Sequence, residues 1–259
     1  MYNVIWSSFR CSVGESFMND YLKSAVALIP DYLLTLSRLI QSPQRFVAQA
    51  LLFKQIKPQD VLTFLAISLL LGWLLELSFS THRDVLDVAS EVVFVFAHAA
   101  GTGVALFLAW RSVGGNADFQ TTFSVHLYFF SVVKLMMALW FMTIMGTLQV
   151  FDRESFQLMV NAAQSGTIPQ LINDFALLSD RWRQSSALIP IQLVVVVGLV
   201  AIFVWIVAGW GAYRELNQTS FGRSVAAFLL WMAFCIPVHC GLFLIATAAV
   251  SVVGQTTPS

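Results

Sequence analysis

The stretch Tyr128 to Phe141, YFFSVVKLMMALWF, places one amine among thirteen residues suited to lipid. A lysine at the centre of a spanning helix costs about 2.5–3.5 kcal/mol on insertion scales. Lys134 therefore needs a partner, water or a ligand. It lies about a dozen residues from either end of its apolar run, which makes snorkelling hard. Two carboxylates, Glu76 and Glu91, and one imidazole, His98, occur in the two preceding apolar runs. Side chains lean toward a helix N-terminus. Glu76, about six residues or roughly 9 Å outward of its run's centre, leans toward the midplane, while Glu91 leans away. Glu76 is thus the better expected partner for Lys134, and His98 lies at a similar depth to the lysine. Lys134, Glu76, His98 and Glu91 form a candidate intramembrane polar site. It would be an ion pair or polar cluster that fixes helix register, a hydrated site for a proton, ion or lipid headgroup, or a contact with a partner subunit.

Other chemistry-bearing residues point less far. Cys235 and His239 share a helix face at i, i+4, with Cys240 expected off it. A closed zinc site needs four ligands, and no fourth is evident. Pro237 explains the stretch better, as a kink, so neither metal nor cofactor is expected. Cys11, Cys235 and Cys240 read as free thiols. Gly114-Gly115 permits a tight turn, with Thr121 or Thr122 capping the helix that follows. A phosphate-binding loop would need a strand, more glycines and a lysine. Arg214, Glu215 and Arg223 at another loop fit lipid headgroup contact or a docking surface. No serine–histidine–acid set, catalytic carboxylate pair or nucleotide motif has a supporting context, so a non-enzymatic protein is expected.

These residues must be positioned by membrane helices. The 259 residues are 58% apolar and 11% charged, against about 25% charged in soluble domains. The formal net charge is zero, which gives no general attraction to nucleic acid. A spanning helix needs about 20 mostly apolar residues. Five runs qualify, at Val61–Ser80, Val88–Trp110, Thr122–Leu148, Ala187–Tyr213 and Ser224–Val253. The fold class is all-α and polytopic, with the membrane domain over 61–253. Nine Lys and Arg residues fall on the side of the N-terminus and four on the opposite side. By the positive-inside rule the N-terminus is cytoplasmic and the C-terminus outside.

Residues 31–60 read as amphipathic helices. Asp31 would cap DYLLTLSRLI, which ends at Gln41; Ser42 and Pro43 suit the cap and first position of the next helix. There Phe46, Val47, Ala50 and Leu51 follow helical spacing, a pattern that lies in the membrane interface or packs on the protein's own loops. The outer loop, 149–186, carries two helix-like stretches, and Leu171, Phe175 and Leu178 share a face in the second. Residues 1–30 form a tail that is partly disordered. Its first 17 residues lack a signal-peptide pattern and read as disordered or as the product of an upstream start codon. Residues 254–259 form a short second tail. Small residues at Ala97, Ala100, Gly101 and Gly103, and at Ala208 and Ala212, allow close helix approach within the chain or between subunits.

Three patches carry a family resemblance: LSRLIQSPQRF, WRSVGGNADFQTTFSVHLYFFS and WGAYRELNQTSFGRSVAAFLL. Over roughly residues 34–250 the chain resembles the Yip-domain family of five-span proteins, most closely its short prokaryotic branch. The matching positions are Ser42, Pro43 and Phe46; Gly114, Gly115, Phe119, Thr122 and Tyr128; and Arg214, Glu215, Leu216, Ser220 and Arg223. The eukaryotic Asp-Leu-Tyr-Gly-Pro motif and long N-terminal domain are absent, so a Rab-type GTPase partner is not implied. The resemblance implies a non-enzymatic organiser or adaptor in a cytoplasmic (inner) membrane, its partners being lipids and other membrane proteins or a second copy. The alternative is a small transporter, channel or lipid-handling protein built around Lys134.

Overall fold

The computed structural model describes residues 27–52, 56–77, 85–164, 185 and 188–256; side chains at 50–52, 76–77, 85–88, 162–164 and 246–256 are outside that description. The expectations for residues 1–17, Leu171, Phe175 and Leu178 thus lie outside the described residues. The chain divides into two units at Ser42.

In the first unit, α1 covers 27–41. Ser42 N–H donates to the Arg38 carbonyl at 3.0 Å, closing the last turn where Gln41 was expected to end it. Asp31 is not the cap expected of it. The backbone is already helical at Ala27, so Asp31 lies inside the helix.

The second unit contains α2 (Pro43–Leu52), α3 (Pro58–Leu77), α4 (Val85–Ser112), α5 (Phe119–Phe151), α6 (Arg153–Gln164), α7 (Leu188–Asn217) and α8 (Phe221–Thr256). The described residues are all-helical, with no strand. Five helices, α3, α4, α5, α7 and α8, are long and apolar enough to cross a membrane. Local chemistry explains where several begin. Pro43 and Pro58 occupy first helical positions, where a missing N–H costs nothing. The third span starts at Phe119, three residues before its apolar run, because Asp118 caps it rather than Thr121 or Thr122. Asp118 Oδ1 accepts from Thr121 N–H at 2.8 Å and Oδ2 from the Thr121 hydroxyl at 2.7 Å. These bonds, the backbone one first, hold the Asp118 carboxyl below the ordinary carboxylate range. Asp152 ends the same helix and starts α6, accepting from Ser155 N–H at 3.0 Å and from the Ser155 hydroxyl at 2.7 Å. The helix expected at FQLMVNAAQ is α6, and it packs Phe156, Met159 and Val160 on Met145, Leu148 and Ile191.

α5 is the hub, packing on α3, α4, α6 and α7, while α8 packs on α4. Lipid gives no hydrophobic drive between helices, so close contact depends on small residues. A Cβ at Gly101 would lie 2.6 Å from Val238 Cγ1, and one at Gly103 would lie 2.8 Å from His126 Cδ2 and Phe123 Cδ2. These two glycines seat α8 and α5 on α4 within the chain. Part of the amphipathic face of α2 packs on the spans. Val47 is 1% exposed, α2 packs along α7, and Phe46 meets the Tyr128 ring edge-on at 5.2 Å.

Candidate functional site

Two cavities open on either side of the α4–α5 contact. The first, about 360 Å³, lies among α3, α4 and α5 and is bordered by Ser68, Trp73, Glu91 and Lys134 in an otherwise apolar wall. Lys134 is half-buried, with Nζ 5.8 Å from the Phe130 ring centroid. That placement supplies a cation–π contact in place of water. Glu91, judged the poorer partner from its direction of lean, borders the same cavity as Lys134. Glu76 belongs to α3, but its side chain lies outside the described residues.

The second cavity, about 740 Å³, lies among α4, α5, α7 and α8. His98 belongs here rather than with Lys134, and His126 and His239 join it. Phe130 touches both sites, since its ring meets the His98 ring edge-on at 5.6 Å while Lys134 Nζ stands near its face. Of the four residues expected together, Lys134 and Glu91 border the first cavity and His98 the second, with the Phe130 ring between Lys134 and His98.

Hydrogen bonds fix the roles of two histidines. The Thr102 hydroxyl donates to the His98 carbonyl at 2.7 Å, which uses its only hydrogen. His126 Nε2, 3.1 Å from Thr102 Oγ1, must then be the donor. His239 Nδ1 lies 2.6 Å from the Cys235 carbonyl, an acceptor only, so Nδ1 carries the hydrogen. In the neutral His239 ring, Nε2 is left with its lone pair. The His98 and His239 rings cross at 75° with centroids 4.9 Å apart. Trp231 Nε1 donates to the Thr102 carbonyl at 3.3 Å, tying α8 to α4.

Cys235 and His239 share a face as their spacing predicts, and Cys240, expected off it, also borders the cavity. Both cysteines are free thiols. Among the described residues, no three His, Cys, Asp or Glu side chains group closely enough to hold a metal ion. Pro237 lies inside α8, which continues through it without a break.

The two loop motifs meet each other. Gly114 has φ of +84°, the left-handed turn conformation that glycine adopts freely. Gly115 N–H donates to the Trp110 carbonyl at 2.8 Å. A Cβ on Gly115 would lie 2.5 Å from Asn217 Oδ1, and one on Gly114 would lie 3.6 Å from Arg223 Nη1. The 113–118 loop therefore rests on the α7–α8 loop. Arg214 is half-buried, while Glu215 and Arg223 are exposed. Beneath the loops, Trp110 stacks on Trp210 at 5.1 Å, and Trp210 Nε1 donates to the Ser224 hydroxyl at 3.0 Å.

Sequence reasoning missed His126, Thr102 and Asn217. Thr102 had a partial signal, since it lies four residues from His98 on one face of α4. Asn217, 1% exposed, had none; its burial depends on the loop that folds over it. No family model matches the chain, and neither the curated proteins nor the solved structures include a match to it.

Proposed function

We propose that this is a non-catalytic integral membrane protein that accommodates a membrane-dissolved amphiphile between α4, α5, α7 and α8. The observation that carries this reading is the 740 Å³ cavity inside the spanning region. A space of this size that opens at its side is filled in a membrane by a bilayer component or by another helix rather than left void. The cavity is also bounded toward lipid by side chains that protein does not cover, with Phe203 67% and Ile236 63% exposed. α7 and α8 are not one of the extensively packed helix pairs. They meet through Trp210, which contacts Ser224, Phe228 and Trp231 near the loop joining them. Beyond that apex a chain-like molecule can enter from the side.

The wider reading includes a Yip-type family assignment, supported by the order of the three loop patches. It also places the 113–118 and 218–220 loops on the cytoplasmic side of an inner membrane, supported by the nine-to-four distribution of Lys and Arg.

Tryptophan quenching tests the central proposal. Trp205, Trp210 and Trp231 border the cavity. A Cβ at Gly209 meets only Phe129 ring carbons at 3.5 Å, ordinary contact, so a side chain there is tolerated and can grow into the space. Lipids brominated on their chains should quench the wild type more strongly than Gly209→Leu. Equal quenching of the two proteins in matched vesicles would overturn the proposal.

A further inference from the structure

Given the lipid-holding reading above, the occupant of the larger cavity can be narrowed from where the space lies along its helices. On α7 the border runs from Tyr213, near the end joined to α8, to Phe203 near the middle of the helix. On α8 it runs from Phe228 to Cys240, again from the loop end to about the middle. On α4 and α5 the border reaches only His98 and Val133, both near mid-helix. The stretch from Phe203 to Tyr213 rises about 15 Å, half of a hydrocarbon core of about 30 Å. The space therefore belongs to one leaflet, the one on the side of the 113–118 and 218–220 loops. A chain lying in it points toward the bilayer midplane, and its headgroup lies at the loops.

Chain and head meet different chemistry. Among the described residues bordering the cavity there is no Asp, Glu, Lys or Arg, so the space itself suits hydrocarbon. Just beyond its loop end, Arg214 follows Tyr213, and Arg223 lies five residues, about 7.5 Å of helix, before Phe228. Arg223 Nη1 stands 3.6 Å from where a Cβ on Gly114 would lie, and Arg111 Nη1 donates to the Gly115 carbonyl at 3.4 Å. The folded loops thus bring two guanidinium groups from different helices to one turn. Neither has an ion pair among the described residues. Of the two carboxylates at this end of the four helices, Asp118 is engaged by Thr121 and Glu215 is exposed beside Arg214. That balance favours an anion. Guanidinium pairs with phosphate through two parallel hydrogen bonds, and arginines beside a membrane draw anionic lipid.

The Tyr213 hydroxyl is buried without a partner among the described residues. It offers a donor at the depth where a glycerolipid carries its ester carbonyls, which only accept. Trp205 Nε1, also unpartnered, and the histidines near mid-span lie at chain depth and gain no hydrogen bond from such a ligand. The head stays at the loops while the chain enters beneath the Trp210 apex.

We propose that the cavity holds an acyl chain of an anionic phospholipid from the loop-side leaflet, whose phosphate is bound by Arg111 and Arg223 beside the Gly114–Gly115 turn.

The test uses the full chain in phosphatidylcholine nanodiscs doped with photoreactive phosphatidylglycerol or photoreactive phosphatidylcholine of identical chains. Phosphatidylglycerol with its diazirine at the chain end should label α7 near Phe203 and α8 near Ile236. With the diazirine beside the ester it should label near Tyr213 and Phe228. The reverse order would put the head at the wrong end and overturn the assignment. Each arginine near the surface strengthens anionic-lipid binding by about fivefold, so phosphatidylglycerol should label about tenfold or more above phosphatidylcholine. The double variant Arg111→Gln/Arg223→Gln should remove that preference. Soluble glycerol phosphate, which has the charge but no chain, should not compete; displacement by it would make the arginines a site for a soluble phosphate ester and overturn the lipid assignment. Equal labelling by both lipids in the wild type, lost in Gly209→Leu, would overturn the anionic head but keep the lipid-holding function. Labelling that Gly209→Leu leaves unchanged would overturn both.

Discussion

The two cavities share a wall and differ in kind. On the α3 side of the α4–α5 contact, Lys134 and Glu91 put both signs of charge into one space of about 360 Å³. On the α7–α8 side, the described wall carries no formal charge, only histidine, threonine, cysteine and aromatic groups around about 740 Å³. Charges inside a membrane protein are tolerated when they compensate each other. We propose that the two charges in the smaller cavity compensate each other and so help fix which helix faces meet. The larger one mixes satisfied polar groups, as in the bond from His239 Nδ1 to the Cys235 carbonyl, with buried ones that have no partner among the described residues, Trp205 Nε1 and the Tyr213 hydroxyl. On that proposal the sequence's most conspicuous residue, Lys134, is structural, and the less conspicuous histidines mark the side proposed to bind.

The largest expected effect separates the two sides directly. Lys134→Met or Glu91→Gln alone leaves the opposite charge uncompensated and should destabilise the fold by up to about 3 kcal/mol. The double variant should recover most of that loss, and neither single change should alter lipid retention in the larger cavity. Thermal unfolding of the three variants in one detergent checks the coupling, and additive losses would contradict it.

Next is Gly101→Leu, which forces α4 from Val238 on α8 and should cost about 1–3 kcal/mol by overpacking. It should reduce lipid retention while leaving the Lys134 side intact, as read by the accessibility of a cysteine substituted at Ser68. Thr102→Val removes the hydroxyl joining His126 to the His98 carbonyl and should cost about 1 kcal/mol. A double-mutant cycle with His126→Phe should show the two changes to be non-additive.

The smallest effect is at Asp118. Its carboxyl is held below the ordinary range by Thr121, so its contribution is present above the unfolded-state value. It is lost as pH falls through the folded-state value. Asp118→Ala should cost about 1 kcal/mol at neutral pH, and the gap from the wild type should close on acidification. A gap that widens toward low pH would contradict the capping role.

The five spans are legible because apolar run length is a local property and lipid demands about 20 residues per crossing. Their ends are less legible. The Phe119 start depends on Asp118, whose carboxylate competes with nearby threonines for the cap. Lys134 is visible as an anomaly in one helix, but its neighbour depends on how α3 and α4 rotate against α5, which lean direction alone does not decide. His239 shows its i, i+4 relation to Cys235 in the sequence. Its meeting with His98, 141 residues earlier, depends on Gly101 admitting Val238. Asn217 is legible only once the Gly114 turn is known to fold over it.

Native mass spectrometry of the chain released from its own membrane, beside Gly209→Leu, tests the central claim most directly. The account predicts one lipid retained per wild-type chain and none on the variant. A wild type that carries no lipid, or the same adducts as Gly209→Leu, would contradict it.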